Sequence, residues 1–389
     1  MWVTFVHHTG REKDPFMNKS MSPRDKWYAF LAGENVGPMV SPLCDDWTID
    51  IPYRWPFEEP DPFPPGHGDA ILSEQMAMAG VCGWDATFLC GGGFIPARKE
   101  VHPESKTTPI PGGSRTETCI HTPYGDLTSI TESMTSIHTV KRLVETEEDL
   151  RRMTWVTRMQ MEYDDKQIIA DGWRRKEALR ERGVMGTWFG PPVGNGLSQD
   201  ESLFYLAADY PDAFRELSEA TAQLTMKQLD LLADAGFDYL FYCVNGTDWG
   251  SPAFFDEHVR ESTRKIFAHW RKRGGFILWH SCGHVKAFVE MGAFNDLMPE
   301  ILETLSERPV GNVPSLQWAR EKLDPKIATK GNLPLNILLQ GTAEDVRADV
   351  RRIRAQTAGT RHIVGLTDDL LKNTPLANAL AFVDEARKP

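Results

Sequence analysis

Short apolar runs that end in Gly, Asp or His recur along the chain, and longer segments with helical spacing separate them. The clearest runs lie at residues 85–93, 185–194, 237–246, 276–283, 326–334 and 361–369. Runs of this length are typical of buried strands in a parallel sheet, with the intervening segments as crossover helices. Adding 37–43 and a weaker candidate at 294–298 gives eight strands. The pattern predicts an α/β fold, a (β/α)8 TIM barrel, with a doubly wound sheet as the alternative.

Two of the helical segments have recognisable ends. In 22–33, Ser22 suits the N-cap, Pro23 the first helical position and Gly33 the end of the helix. In 214–236, Phe and Leu residues follow one stripe, and a glycine supplies the stop. We therefore expect a short helix before the first strand and a long amphipathic helix before the fourth.

One segment interrupts the alternation of strands and helices. Residues 99–136 contain two alternating stretches that flank a Tyr-Gly-Asp turn at 124–126, which predicts a β-hairpin inserted after the second strand, at about 97–138. We expect this hairpin to form a flap over one end of the barrel, with a simple surface excursion as the alternative. Residues 1–20 are predicted to be an N-terminal extension, and 21–389 a single barrel domain.

Composition and charge exclude several classes of function. The net charge of −12 and the lack of an extended Lys/Arg cluster argue against nucleic-acid binding. No stretch of about 18 apolar residues is present to span a membrane, and the N-terminus lacks the features of a signal peptide. Six cysteines are too few for a disulfide scaffold in a chain of 389 residues. We expect a cytoplasmic protein with reduced thiols.

A candidate metal site lies at the end of the run FILWHSCG, residues 276–283. His280 and Cys282 are two positions apart, so alternation along a strand sends both side chains to one side. Imidazole nitrogen and thiolate sulfur are ligands that zinc prefers, and the carboxyl ends of the strands form the functional face of a TIM barrel. A buried structural histidine beside a buried cysteine is the alternative interpretation.

Four sequence blocks together resemble a known family. SPRDKWYAFLAGENVGPMVSPL, HSCGHVKAFVEMGAFNDLMPE, GNLPLNILLQGTAEDVRADV and GLTDDLLKNTPLANALAFVDEA follow, in order and spacing, the blocks of the uroporphyrinogen decarboxylase superfamily. They are more similar to its corrinoid-dependent methyltransferase branch than to its decarboxylases. The resemblance spans about residues 20–389 and implies a (β/α)8 barrel, in agreement with the strand count.

The resemblance also implies a ligand set. In the methyltransferase branch the His-x-Cys pair binds zinc together with a cysteine in the loop after the last strand, but the matching loop here reads GLTDDL. Asp368 lies in that loop and is the predicted third ligand, with capping of the loop as its alternative role. Glu303, Cys243 and Cys90 are further strand-end candidates, and we predict a catalytic role for Glu303.

Other residues at the strand ends suggest substrate contacts and proton transfer. Asp248 follows the fourth strand and is predicted to orient substrate or to act as an acid or base, with an Asx-turn as the alternative. Aromatic side chains close to the strand ends could hold a flat or apolar group. The predicted substrate-binding residues are Trp47, Trp188, Phe189, Tyr242 and Trp249.

These observations favour a zinc-assisted methyltransferase. It would move a methyl group between a small molecule and a corrinoid (cobalamin) carried on a partner protein, and a methoxylated aromatic substrate would make it an O-demethylase. One alternative is a metal-free decarboxylase of a small aromatic or pyrrolic acid. Uroporphyrinogen itself is disfavoured as a substrate, because it carries several carboxylates and the segment after the first strand offers two acidic residues, 45–46, and Arg54 as its single cation. Another is a barrel that binds a small molecule or a corrinoid protein without catalysis. Whether the chain is a monomer or a homodimer is left open.

Overall fold

The computed structural model of the protein describes residues 21–44, 54–90, 101–161, 166–197, 200–243 and 251–389. These residues form an eight-stranded sheet, a separate four-stranded sheet and the helices around them. The predicted N-terminal extension, residues 1–20, lies outside the described residues. No helix within these ranges combines the length and the apolar composition that spanning a bilayer requires.

The strands follow in chain order. They are β1 (Met39–Val40), β2 (Ala86–Leu89), β3 (Glu104–Ile110), β4 (Gly113–Ile120), β5 (Leu127–Ser133), β6 (Ile137–Lys141), β7 (Gly183–Phe189), β8 (Tyr239–Cys243), β9 (Phe276–Ser281), β10 (Ile301–Thr304), β11 (Ala328–Leu333) and β12 (His362–Leu366).

The helices lie mostly between the strands of the larger sheet. They are α1 (Pro23–Leu31), α2 (Ala70–Cys82), α3 (Glu147–Met159), α4 (Lys166–Leu179), α5 (Ser202–Asp209), α6 (Pro211–Asp234), α7 (Pro252–Phe254), α8 (Arg260–Lys272), α9 (Lys286–Glu290), α10 (Ala293–Leu297), α11 (Leu316–Lys322), α12 (Leu335–Gln340), α13 (Ala343–Gln356) and α14 (Leu376–Arg387). A π-helical turn, Phe255–Val259, joins α7 to α8.

The larger sheet is a (β/α)8 barrel, as predicted. Its strands are all parallel and follow the order β1-β12-β11-β10-β9-β8-β7-β2. The two ends of this order meet, because the backbone N–H of Asp85 donates a 2.7 Å hydrogen bond to the carbonyl oxygen of Val40. Helices lie in the connections between consecutive strands of this sheet, and a parallel order requires such crossover connections.

The two helices with predicted ends are present. In α1, the Ser22 side chain accepts a hydrogen bond from the backbone N–H of Asp25, and Pro23 occupies the first position. Helix α6 ends before Gly236, whose φ of +84° suits a residue without a Cβ.

The weak strand candidate at 294–298 was wrong. Residues 293–297 form the short helix α10, which begins after Gly292 (φ +73°) and ends at Met298 (φ +50°). The strand is β10, a few residues further on, with the sequence Ile-Leu-Glu-Thr. Because half of that strand is polar, it lacks the apolar run that marks the other strands.

The insertion after β2 is larger than the predicted hairpin. Strands β3 to β6 form an antiparallel meander in sequential order, and the Tyr-Gly-Asp turn lies between β4 and β5. Ile120 and Leu127, at the ends of β4 and β5 next to this turn, are buried in the main core, and the sheet packs on α3. That the insertion covers one end of the barrel stays a prediction.

Alternation along the barrel strands separates two apolar layers. Side chains on one face fill the barrel interior, among them Leu89, Val184, Tyr239, Phe241, Phe276, Leu278, Ile301, Ala328 and Ile363. Side chains on the other face pack against the surrounding helices. Helix α1 contributes Trp27 and Phe30 to the interior cluster, and the Trp27 indole N–H donates to the carbonyl of Ala86.

Candidate metal centre

His280 lies inside the barrel near the carboxyl end of β9. Leu278, two residues earlier, belongs to the interior cluster, and alternation therefore turns His280 inward as well. The histidine is 2% exposed to solvent. A polar ring so deeply buried requires partners for both of its nitrogens.

The next strand, β10, provides the partner of one nitrogen, and β11 provides a counter-charge for that partner. In the parallel register His280 of β9 lies opposite Glu303 of β10, which lies opposite Lys330 of β11. The Nδ1 atom of His280 is 2.5 Å from Oε1 of Glu303, and Lys330 Nζ forms an ion pair with Oε2 of the same carboxylate. All three side chains are buried. A His–Glu–Lys row thus crosses the interior at one level.

The charges of this row stabilise one another. Burial raises the pKa of Glu303, but Lys330 and His280 together lower it to about 2, so the carboxylate stays ionised. Burial lowers the pKa of His280, but hydrogen bonds to Cys282 and Glu303 raise it to about 10. The surroundings of the ring therefore favour a positive charge at its position.

The second nitrogen of His280 faces the other two predicted ligands. Ligand atoms of His280, Cys282 and Asp368 all lie within 4.8 Å of one another, and Nε2 is 3.7 Å from Oδ1 of Asp368. Asp368 follows β12, so the cluster joins the ends of two strands that are not neighbours in the sheet. The same Asp368 oxygen accepts a hydrogen bond from the backbone N–H of Asp369, the local role that was its alternative. Metal binding by the three residues stays a prediction.

The backbone beside the cluster is strained. Thr304 and Leu305, which follow Glu303, have φ values of +76° and +45°. Positive φ is unfavourable for a β-branched residue and persists only where the surroundings hold it. One such contact is the 2.5 Å hydrogen bond from the Thr304 hydroxyl to the carbonyl of Ser281. This bond ties the end of β10 to the end of β9.

An aromatic wall stands beside His280. The Trp188 ring is 4.4 Å from the Phe241 ring, and the His280 ring is 6.4 Å from the first and 5.3 Å from the second, between centroids. Trp188 is 38% exposed, whereas Phe241 is buried. Trp188 therefore presents a solvent-accessible apolar surface close to the cluster.

Two predicted substrate-binding residues are not brought to the site. Tyr242 lies on the helix-facing side of β8, fully buried, with its hydroxyl 2.8 Å from that of Thr263. Phe189 lies opposite Tyr242 in the register and packs against the same outer core. Each residue is one position away from an inward-facing neighbour, Trp188 or Phe241, and alternation reverses its direction.

The other candidates lie apart from the three-ligand cluster or outside the described residues. Glu303 lies within β10 rather than after it, and its carboxylate holds His280 instead of joining the three-ligand cluster. Cys90 is buried in the outer core, where burial raises the pKa of its thiol to about 12. Cys243 lies opposite His280 in the register but outside the cluster. Trp47, Asp248 and Trp249 lie outside the described residues.

Sequence reasoning missed Lys330 and Phe241. A lysine in the middle of a strand of buried residues, Ala-Thr-Lys-Gly-Asn-Leu, was the signal for the first. A lysine is almost never fully buried without a partner. For Phe241, counting two residues back from Cys243 along β8 would have placed it on the interior face.

A (β/α)8 barrel with ionisable side chains gathered at the carboxyl ends of its strands has the architecture of a barrel enzyme. The chain belongs to the uroporphyrinogen decarboxylase (URO-D) family, whose sequence model matches residues 193–389. This range contains β8 to β12 and all three residues of the cluster. The family predicted from the sequence blocks is thereby confirmed.

Solved structures resemble the chain in fold. A methyltransferase from Methanosarcina mazei is 14% identical, with 94% of this chain and 98% of that chain covered and a TM-score of 0.57. A B12-independent methionine synthase from a Shewanella species is 11% identical, with 90% and 96% covered and a TM-score of 0.45. The first similarity shows a common fold over nearly the whole of both chains. The second, at its lower TM-score, supports no further argument.

Proposed function

We propose that the protein is a zinc-assisted methyltransferase, which moves a methyl group between a small molecule and a corrinoid carried on a partner protein. The observation that carries the proposal is the convergence of His280, Cys282 and Asp368 at the carboxyl-end face of the barrel. Membership of the URO-D family and the fold shared with a methyltransferase are in agreement with it.

The donor set suits zinc. Imidazole, thiolate and carboxylate are all common zinc ligands, and three protein ligands leave a fourth position for substrate, as in catalytic zinc sites. The thiolate of Cys282 and the carboxylate of Asp368 would balance the two charges of the metal. The charge of Glu303 is already offset by Lys330. When bound, zinc would supply Lewis acidity that lowers the pKa of a thiol or hydroxyl group of the substrate.

The chain's own residues would orient the site. Glu303 accepts a hydrogen bond from Nδ1–H of His280, so Nε2, which faces Cys282 and Asp368, would be the nitrogen that binds zinc, in place of the proton that the metal-free ring keeps there. Lys330 keeps Glu303 ionised, so Nδ1–H of His280 keeps its acceptor and the ring keeps its orientation. Glu303 is thus proposed as a positioning residue. Asp248, which follows β8 in the sequence and lies outside the described residues, remains the proposed acid or base.

The aromatic wall suggests the class of small molecule. Trp188 and Phe241 exclude water from one side of His280 and offer a face for a flat apolar group. A methoxylated aromatic compound fits this surface, and its demethylation would leave the bonding electron pair on the phenolic oxygen. Trp47 and Trp249 remain proposed as further contacts of this substrate.

Decarboxylation is the second candidate because of the family's name. Several substrate carboxylates would need unpaired cations, but Lys330, the cation beside His280 in the described part of the interior, is already bound to Glu303. Carbon dioxide release from a small aromatic acid by metal-free protein would support this second candidate over the first. Binding of the same compounds without any turnover would indicate a non-catalytic barrel.

Metal analysis tests the proposal. Protein prepared with zinc present should contain one zinc per chain more than His280→Ala, Cys282→Ser or Asp368→Ala variants. Cys243→Ser is the matched control, a cysteine opposite His280 in the register that should leave the zinc content unchanged. Equal zinc content in the His280→Ala variant and the unmodified protein would contradict the proposed site. Formation of methylcobalamin from cob(I)alamin and methoxybenzoates, followed by visible absorbance, should be lost with the zinc.

A further inference from the structure

A second group of metal-ligand side chains lies on the inserted sheet, remote in sequence from the barrel site. Ligand atoms of Cys119, His121 and Asp126 lie within 4.8 Å of one another. The Oε2 atom of Glu104 is 3.7 Å from Nε2 of His121. Together these four residues form what we call the insertion cluster.

The strand register brings the insertion cluster together. Glu104, the first residue of β3, lies directly opposite Cys119 near the end of β4. His121 is two residues beyond Cys119 on the same side, while Ile120 between them points into the core. The register of the antiparallel sheet therefore brings Glu104, Cys119 and His121 close together at one end of the sheet.

A tight turn supplies the remaining donor. The backbone N–H of Gly125 donates to the carbonyl of Thr122, and the Thr122 hydroxyl donates to the carbonyl of Gly125. Gly125 has a φ of +107°, which only glycine adopts at little cost. The turn returns Asp126 to within 2.8 Å of Nδ1 of His121.

The separations are close to those of a tetrahedral zinc site. Zinc bonds to sulfur and nitrogen place those two ligand atoms about 3.6 Å apart. The Sγ atom of Cys119 is 3.7 Å from Nδ1 of His121. The 2.8 Å between His121 and Asp126 needs to open by about half an ångström to reach the corresponding nitrogen–oxygen separation. Cys119 is partly exposed, and His121 and Asp126 are largely exposed, so small movements of these side chains meet little resistance.

The charges leave the insertion cluster short of a cation. Across the described residues, the ion pairs of Glu104 and of Asp126 are both with His121. Two carboxylates therefore share one imidazole, with a thiol beside them. A solvated surface ion pair would not require the thiol, whereas a soft or borderline divalent ion would use it.

We propose that the insertion cluster binds a divalent metal ion of the zinc type through Cys119, Nδ1 of His121 and Asp126, with Glu104 as the acceptor for the other ring nitrogen, Nε2. The ion would link the end of β4 to the start of β5, where the inserted sheet meets the main core, and His121 would connect it to Glu104 at the start of β3. It would act as a structural clamp on the insertion. The proposal uses none of the barrel ligands and does not depend on the proposed function.

Zinc binding by full-length variants tests this site separately. The His280→Ala/Cys282→Ser variant, stripped with a chelator and then supplied with zinc, should still bind one zinc per chain. Adding Cys119→Ser and His121→Ala should weaken that binding by more than about 100-fold, since even outer partners of a metal site contribute 10–100-fold. Adding Glu117→Gln instead, a carboxylate two residues from Cys119 on the same strand, should leave it unchanged.

Cobalt(II) and thermal unfolding give independent readouts. Cobalt bound to the His280→Ala/Cys282→Ser variant should show a thiolate charge-transfer band that Cys119→Ser abolishes. Zinc should raise its unfolding temperature, and the variant with Cys119→Ser and His121→Ala should unfold at the metal-free temperature with or without zinc. The insertion cluster is not a metal site if the His280→Ala/Cys282→Ser variant binds no zinc. The same conclusion follows if adding Cys119→Ser and His121→Ala to that variant leaves its zinc affinity unchanged. Asp126→Asn, which leaves the fold-forming residues intact, should lower the affinity at least tenfold if the proposal holds.

Discussion

The carboxylate of Glu303 serves two charged neighbours at once, and both are buried. It accepts from Nδ1 of His280 on one oxygen and pairs with Lys330 on the other. Burying a charge is costly unless it is paired and hydrogen-bonded, and this carboxylate gives both neighbours such a partner. The three residues should therefore behave as one energetic unit.

Removing one member of this unit should cost more than removing two. We expect Glu303→Gln to lower the free energy of unfolding by about 3–5 kcal/mol, because it leaves the ammonium of Lys330 buried without a counter-charge. Adding Lys330→Met removes that charge and should recover at least about 1 kcal/mol. Urea unfolding of chelator-treated protein measures both values without a contribution from bound metal. Purely additive losses would show that the pair is not coupled.

At this scale, the sequence identified the residues better than their directions. The two-residue spacing was enough to predict that His280 and Cys282 share a side, and the structure places them so. Tyr242 and Phe189, predicted to contact substrate, face the outer core instead. The exact register of a short strand decides which of two neighbouring side chains points inward, and the sequence around these residues does not define that register. Lys330 was missed because its partner, Glu303, lies 27 positions away and only the fold brings the two together.

Among the elements, those with local end signals were predicted closely. Ser22, Pro23 and Gly33 mark α1, and the structure has the same helix. Strand β10 has no such signal: it is four residues long, half polar, and defined by its neighbours β9 and β11. The same reason explains the insertion, where β3 and β6 are mostly exposed strands recognisable only by their pairing.

Helix α1 offers a prediction for a single element. Ser22→Ala removes the acceptor of the Asp25 N–H and should lower the free energy of unfolding by about 1 kcal/mol. Because Trp27 and Phe30 anchor α1 in the barrel interior, the loss should appear in global unfolding as well as in helix fraying. Ser22→Asn, another good N-cap whose amide can still donate to Glu181, should stay close to the unmodified protein in a urea titration. An equal loss in both variants would show that the capping bond is not responsible.

On the scale of the whole molecule, Asp85 joins parts of the chain that are distant in sequence. Its carboxylate accepts from the backbone N–H of Val40 and pairs with Lys26 before β1 and with Arg387 at the end of α14. Its backbone N–H makes the bond that closes the barrel. The seam between the first two strands, where β1 is only two residues long, thus depends on one buried side chain.

Asp85→Asn should therefore destabilise the closed barrel. Loss of the charge weakens hydrogen bonds to two cations, and we expect a loss of about 2–3 kcal/mol in the free energy of unfolding. Asp212→Asn is the control, because Asp212 forms an exposed pair with Arg215 within α6 and should cost less than about 1 kcal/mol. Thermal unfolding followed by circular dichroism compares the two. Similar effects of both substitutions would mean that the seam is not a weak point of the barrel.

Acid should destabilise the whole molecule partly through His362, at the start of β12. Although part of this residue reaches solvent, its ring lies between Thr329 and Gly331, with Nε2–H donating to the Gly331 carbonyl and Nδ1 2.9 Å from the Thr329 hydroxyl. Burial lowers the pKa of His362 from 6.5 to about 3, so the folded protein holds the ring neutral.

The unfolded chain binds a proton more readily than the folded one between those two pKa values. The contribution of His362 to stability is thus fully present above pH 6.5 and is lost progressively as the pH falls from 6.5 towards 3, at no more than about 1.4 kcal/mol per pH unit. His362→Gln keeps a hydrogen-bonding side chain but does not titrate. The free energy of unfolding of this variant should therefore fall less steeply between pH 6.5 and pH 5. Free energies of unfolding from urea titrations at pH 7.5, 6 and 5, each compared between the two proteins, isolate this residue from the other histidines. We expect the difference in free energy of unfolding between the unmodified protein and His362→Gln to become smaller as the pH falls, because the fold holds the ring neutral. A difference that stays constant with pH would exclude His362 as a source of the acid sensitivity.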